Sequence, residues 1–115
     1  MVYLDNYVYD MIVGDGVKSK KYAITPYTKK QAEKLGVVVK PSKTKKIDVF
    51  DKDGKLLVSV GGRKDDGTFY GDYPTYIIKH GKEIADEIRK RYKARHEQYR
   101  KKVGTPSYYA DQLLW

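Results

Sequence analysis

Arg91 and His96 are the two residues of this chain best suited to act on a phosphodiester. They lie five positions apart in KEIADEIRKRYKARHEQYRKK, Lys82 to Lys102. A guanidinium holds a phosphate through paired N–H donors, and an imidazole moves a proton near neutral pH. In so basic a stretch the pair also arises by chance, and the simpler role for His96 is to cap the helix or pack beside Tyr92 and Tyr99. The other histidine, His80, stands at no metal-binding spacing from it, and the chain has no cysteine. Zinc and thiolate chemistry therefore have no support. No Ser/His/Asp set and no carboxylate pair is singled out by spacing. Asp51, Asp53, Asp65 and Asp66 fit turns better than calcium, because the loops are short and lack a closing bidentate glutamate. Gly61, Gly62, Gly67 and Gly71 punctuate a loop without the Lys-Ser/Thr ending that a phosphate-binding loop requires. The expectation is a protein that is not an enzyme, with no cofactor, metal or small-molecule substrate.

What remains is charge. The 115 residues hold 24 lysines and arginines against 15 acids, a net charge of +9. The excess sits in two blocks, Lys18 to Lys46 and Tyr73 to Lys102, which flank an acidic stretch. Asymmetry of this kind favours a polyanion, most often nucleic acid. In the second block Asp86–Lys90, Glu87–Arg91 and Glu97–Lys101 are acid-first i,i+4 pairs, the better order on a helix. That pattern leaves Arg89, Lys93, Arg95, Arg100 and Lys102 without an acid. In the first block Lys40, Lys43, Lys45 and Lys46 crowd a loop where mobile ammonium groups give sequence-blind attraction to phosphate. These nine residues are the expected nucleic-acid contacts. Neither block pairs its charge with a Leu/Phe-rich face, and no apolar run nears the roughly 20 residues of a membrane span. No membrane partner is expected. MVYLDNYVYD lacks the basic and apolar regions of a signal peptide, which predicts a cytosolic or nuclear setting.

The elements that position these charges follow from periodicity. Ile84, Ile88, Tyr92, Arg95 and Tyr99 recur at helical spacing and predict one long helix over 82–102. Residues 2–13 and 17–25, joined by Gly14-Asp15-Gly16, read as a first hairpin. Thr28 to Leu35 reads as a short helix capped by Thr28 with Gln31 and stopped by Gly36. Ile47–Phe50 and Lys55–Val60 form a second hairpin around Asp53-Gly54. Asp72 before Tyr73-Pro74 caps a short helix, and Gly81 breaks it from the long one. Thr105-Pro106 starts a terminal helix. Its Tyr108, Tyr109, Leu113, Leu114 and Trp115 either fill a core that is otherwise poor in aliphatics or anchor another subunit.

The Arg-x-x-x-x-His spacing is similar to that of HEPN-type RNases, but those domains are entirely helical and half of this chain reads as strand. A broader resemblance covers about residues 45–115. KKIDVFDKDGKLLVSVGG, YGDYPTYI, RKRYKARHEQYRKK and GTPSYYADQLLW together resemble small basic proteins of nucleocytoplasmic large DNA viruses, those of algae and amoebae among them. The shared pattern falls on Tyr73, Arg91-Tyr92, Arg95-His96, Gly104 and Leu114-Trp115, and TKKQAEKLG resembles variants of the same family. The segment Arg63–Thr68 departs from the shorter link of that pattern. The resemblance implies a viral source, with the virion or the viral factory in host cytoplasm or nucleus as location, rather than a mechanism.

The reading is one basic α+β domain over 1–115. Two hairpins make a small antiparallel sheet, packed by one long C-terminal helix and clasped by a short terminal one. The expected function is sequence-nonspecific binding of nucleic acid, DNA in the first instance, in genome packaging or replication. The alternative is a minor virion protein whose basic patches meet acidic neighbours and whose interface is Tyr108, Tyr109, Leu114 and Trp115.

Overall fold

The computed structural model describes residues 21–115. Among them the order is α1 (Pro26–Leu35), β1 (Val38–Pro41), β2 (Ile47–Phe50), β3 (Leu56–Val60), α2 (Tyr73–His80), α3 (Lys82–Arg95), α4 (Glu97–Arg100) and α5 (Pro106–Leu114). The class is mixed α+β. The detail differs from two hairpins and one long helix. The described residues form a three-stranded antiparallel sheet in the order β1-β2-β3, with five helices. The expected first hairpin lies outside the described residues, apart from Lys21–Thr25, which forms no strand.

The hairpin of β2 and β3 forms where expected. Asp51 Oδ1 accepts the backbone N–H groups of Asp53 and Lys55, both at 2.9 Å, which closes the turn. Side chains alternate across β2, so Ile47 and Val49 are fully buried while Asp48 and Phe50 are not. Val38–Pro41 then adds as a third strand, pairing Val39 with Val49.

Helix α1 starts earlier than Thr28. Thr25 is the N-cap and accepts the Thr28 N–H at 3.2 Å, with Pro26 in the first turn. Thr28 is instead fully buried and donates its hydroxyl to the Leu113 carbonyl at 2.8 Å. That bond joins α1 to α5, and Gln31 Nε2 adds a second to the Gln112 carbonyl at 3.2 Å. The core gathers Tyr22, Ala32, Ile47, Val49, Val60, Leu113 and Leu114. Helix α5 thus completes the core, since Leu113 and Leu114 are 0% and 2% exposed.

The rod over 82–102 is broken. Helix α3 ends at Arg95, His96 caps it with φ -106, and α4 adds only four residues. His96 Nδ1 lies 2.9 Å from the Tyr92 carbonyl, and its ring stacks on Tyr92 at 4.1 Å. The Tyr92 carbonyl thus meets both the backbone N–H of His96, at 3.0 Å, and its ring nitrogen where the helix ends. Helices α2 and α3 pack against each other across Gly81.

Candidate nucleic-acid interface

Tertiary partners reassign the cations of α3 and α4. Lys93 Nζ lies 2.8 Å from Asp111 Oδ1, and Arg100 lies 3.6 Å from Asp111 Oδ2. Asp111 is buried on α5, so this carboxylate holds α3 and α4 against the terminal helix. Arg100 also binds Glu97 at 2.6 Å. Arg89 stacks over the Tyr73 ring at 3.9 Å, lies 3.8 Å from Asp86 and reaches the Trp115 carbonyl at 3.5 Å. Three residues without an i,i+4 acid are therefore engaged within the fold.

The converse also holds. Asp86 turns away from Lys90 to meet Lys82 at 2.8 Å and the Tyr73 hydroxyl at 2.6 Å. Those two hydrogen bonds hold the exposed Asp86 carboxyl below its usual range. Of the three expected helical pairs, Glu97–Lys101 forms, at 2.7 Å. Among the described residues Lys90, Arg91 and Arg95 make no ion pair, and all three are exposed. Arg91 and Arg95 follow at i,i+4 and share a face of α3. Lys102 is exposed at the end of α4, its ammonium 5.6 Å from the Tyr99 ring centroid.

The lysine loop is a folded turn. Ser42 is buried, and its hydroxyl accepts the N–H groups of Thr44 and Lys45 at 3.2 and 3.0 Å. Arg63 donates to the Lys45 carbonyl at 3.1 Å. Lys43 and Lys45 remain exposed, and Lys40 lies over the Phe50 ring at 5.3 Å.

Lys46 is not at the surface. It is 2% exposed, and its ammonium meets Asp72 Oδ2 at 2.8 Å. The same carboxylate oxygen accepts the Tyr22 hydroxyl, while Oδ1 accepts the Thr75 N–H at 3.1 Å as the N-cap of α2. Burial pushes the Lys46 ammonium down, and Asp72 opposes that shift. The expectation of Lys46 as a phosphate contact is corrected: it closes a buried ion pair. From sequence, Asp72 is legible as the cap of α2, whereas its two distant partners are not. Asp111 carries a signal of its own, since one carboxylate in an otherwise uncharged helix implies a cationic partner.

Tyr92, Arg95, His96, Leu114 and Trp115 line one cleft, whereas Tyr73, Arg91 and Gly104 do not. The cleft, of about 400 Å³, lies between the loop 61–71 and helices α2, α3 and α5. Its walls include Gly62, Tyr70, Tyr76, Tyr92, Arg95, His96 and Trp115. Beside it the rings form a column. Trp115 stacks on Tyr92 at 4.3 Å and 9°, and Tyr76 lies against its indole at 5.9 Å. His80 and His96 stand at the two ends, 6.1 Å from Tyr76 and 4.1 Å from Tyr92. A Cβ on Gly62 would sit 2.6 Å from the Tyr70 ring, and one on Gly71 would fall on Tyr76. The two glycines let these rings lie directly on backbone. Of the expected interface residues, Trp115 belongs to the column, Leu114 to the core, and Tyr108 and Tyr109 pack on each other half-buried.

Burial makes these phenols reluctant acids. The Tyr92 hydroxyl is pushed up to about 12, mainly by burial and next by Asp111, against the pull of Arg95. Tyr22 is raised further and Tyr27 in the same direction, again chiefly by burial. The unfolded chain ionises these rings above about pH 10 and the folded chain does not, so their contribution to stability is lost as pH rises from there. Tyrosinate absorbance should rise in two stages, the second together with loss of far-ultraviolet circular dichroism. One stage with the fold intact would remove burial as the cause.

Among the described residues no three His, Cys, Asp or Glu side chains gather as a metal site, and no helix is long and apolar enough to cross a membrane. Compared with known proteins, the chain matches no family model, no curated protein and no solved structure.

Proposed function

We propose that this chain binds nucleic acid without regard to sequence, DNA first, as a packaging or replication accessory of a large DNA virus. One observation carries the reading. Lys90, Arg91 and Arg95 stand exposed and free of ion pairs among the described residues, while Asp72, Asp86 and Asp111 are consumed elsewhere in the fold. Lys43, Lys45 and Lys102 extend the exposed charge, with Lys40 beside them. Phosphate contacts by such groups fix position without reading bases. In this reading Arg91 and Arg95 lead, and Arg89, Lys93 and Arg100 hold the helix in place.

Affinity for duplex should fall linearly with salt on logarithmic axes. Each phosphate contact contributes about 0.9 to that slope on duplex and about 0.7 on single strand. Replacing Lys90, Arg91 and Arg95 by glutamine should lower the duplex slope by roughly 2–3. The same titration by mobility shift is the test, and a flat response in the unsubstituted protein would sink the proposal. A second reading, a minor virion protein, is favoured by the exposed Ile78 and Ile84, 80% and 51% exposed on the α2–α3 pair. A flat salt response would leave that reading standing.

A further inference from the structure

We infer that the cleft beside the ring column takes one unpaired nucleobase of a single strand, with Arg95 on the adjoining phosphate. The inference rests on the proposed nucleic-acid binding and goes beyond it, because surface cations alone do not distinguish a single strand from a duplex.

Three observations point to this occupant. The first is the lining. Tyr70, Tyr76, Tyr92 and Trp115 line the space; the faces of Tyr92 and Trp115 are taken up within the column, so the ring offered to an unstacked base is that of Tyr70. The second is Tyr70. It is 58% exposed although it is a large ring on the wall of a cleft. Its position is nonetheless defined, since Gly62 gives it a seat without a Cβ and Lys64 lies 5.6 Å from its centroid. A positioned aromatic face left open to solvent is a platform for another ring. The third is charge. Arg95 lines the same cleft, is exposed and has no carboxylate partner among the described residues. Lys46, the other cation of the lining, is neutralised by Asp72. Among the described residues the cleft therefore offers one cation without a carboxylate partner beside several rings, which matches one phosphate beside one base.

The volume agrees with that occupant. About 400 Å³ falls within the roughly 300–1,000 Å³ of small-ligand sites. A base pair inside a duplex presents its edges and not its faces, so the duplex is confined to the outer cations. The protein should then prefer single-stranded to duplex DNA of the same length at matched salt.

Trp115 is the chain's one tryptophan and stands on the cleft wall, so its emission reports occupancy. The test titrates the full chain with oligothymidylate, with a blunt duplex and with inorganic polyphosphate, and follows Trp115 fluorescence beside a mobility shift. Oligothymidylate should quench the emission, whereas duplex and polyphosphate should bind without doing so. Tyr70→Ala should weaken oligothymidylate binding by on the order of tenfold and leave duplex binding unchanged. Tyr70→Phe should restore it, since it keeps the ring. Tyr70 is exposed, so neither change threatens the fold. If oligothymidylate shifts the protein while Trp115 emission stays constant and Tyr70→Ala binds as before, the cleft is not the base site and the outer cations still stand as the binding surface. If none of the three polyanions binds, both readings fall.

Discussion

Asp72→Ala is expected to destabilise the fold by about 3–5 kcal/mol. The cost arises because its partners do not leave with it. Lys46 stays buried with a charge that no other carboxylate among the described residues neutralises, and the Tyr22 hydroxyl loses its acceptor. The N-cap of α2 goes as well, worth about 1 kcal/mol by itself. Small domains have only about 5–15 kcal/mol to lose. Urea unfolding should show the midpoint falling with little change in slope. Lys46→Met combined with Asp72→Asn should cost clearly less than the sum of the two single changes, because no charge is then stranded. Additive costs, or a loss below about 1 kcal/mol for Asp72→Ala, would mean that water reaches the pair.

The second large effect moves stability and binding in opposite directions. Asp111→Asn should cost about 2 kcal/mol by weakening charged hydrogen bonds between α5 and its neighbours. It should also release Lys93 and Arg100, and so steepen the salt dependence of duplex binding by about 1–2. Lys93→Gln should change duplex affinity little in the native background and lower it once Asp111 has been replaced. This pair of measurements forms a thermodynamic cycle in which the coupling is read directly. Equal losses from Lys93→Gln in both backgrounds would show that Lys93 meets phosphate despite Asp111.

Local features of the sequence translated directly into structure. Asp72 with Pro74, Thr105 with Pro106, Gly36 and the Asp53-Gly54 turn each act within about four residues of themselves, where spacing decides the geometry. Partner choice was harder to read. The i,i+4 rule assigned Lys90 and Arg91 to acids and left Lys93 and Arg100 alone. The fold reverses this, because the Asp111 carboxylate arrives from another helix. A helical pair contributes only tenths of a kcal/mol, so Asp86 leaves Lys90 for Lys82 and the Tyr73 hydroxyl, while Lys93, which had no helical acid, takes Asp111. Lys46 was hidden for a related reason. It ends a run of lysines that read as solvated, and its acid lies 26 residues ahead. The break at His96 was half visible, since the capping role was foreseen and the end of the rod was not.

The bond from Thr28 to the Leu113 carbonyl spans 85 residues. Contacts between segments so distant in sequence raise contact order and slow folding, because the loop between them must close before either end gains anything. During synthesis, α1 and the sheet must wait with an open apolar face until Leu113 and Leu114 emerge. That interval is when chaperones or premature self-association would compete for the nascent chain.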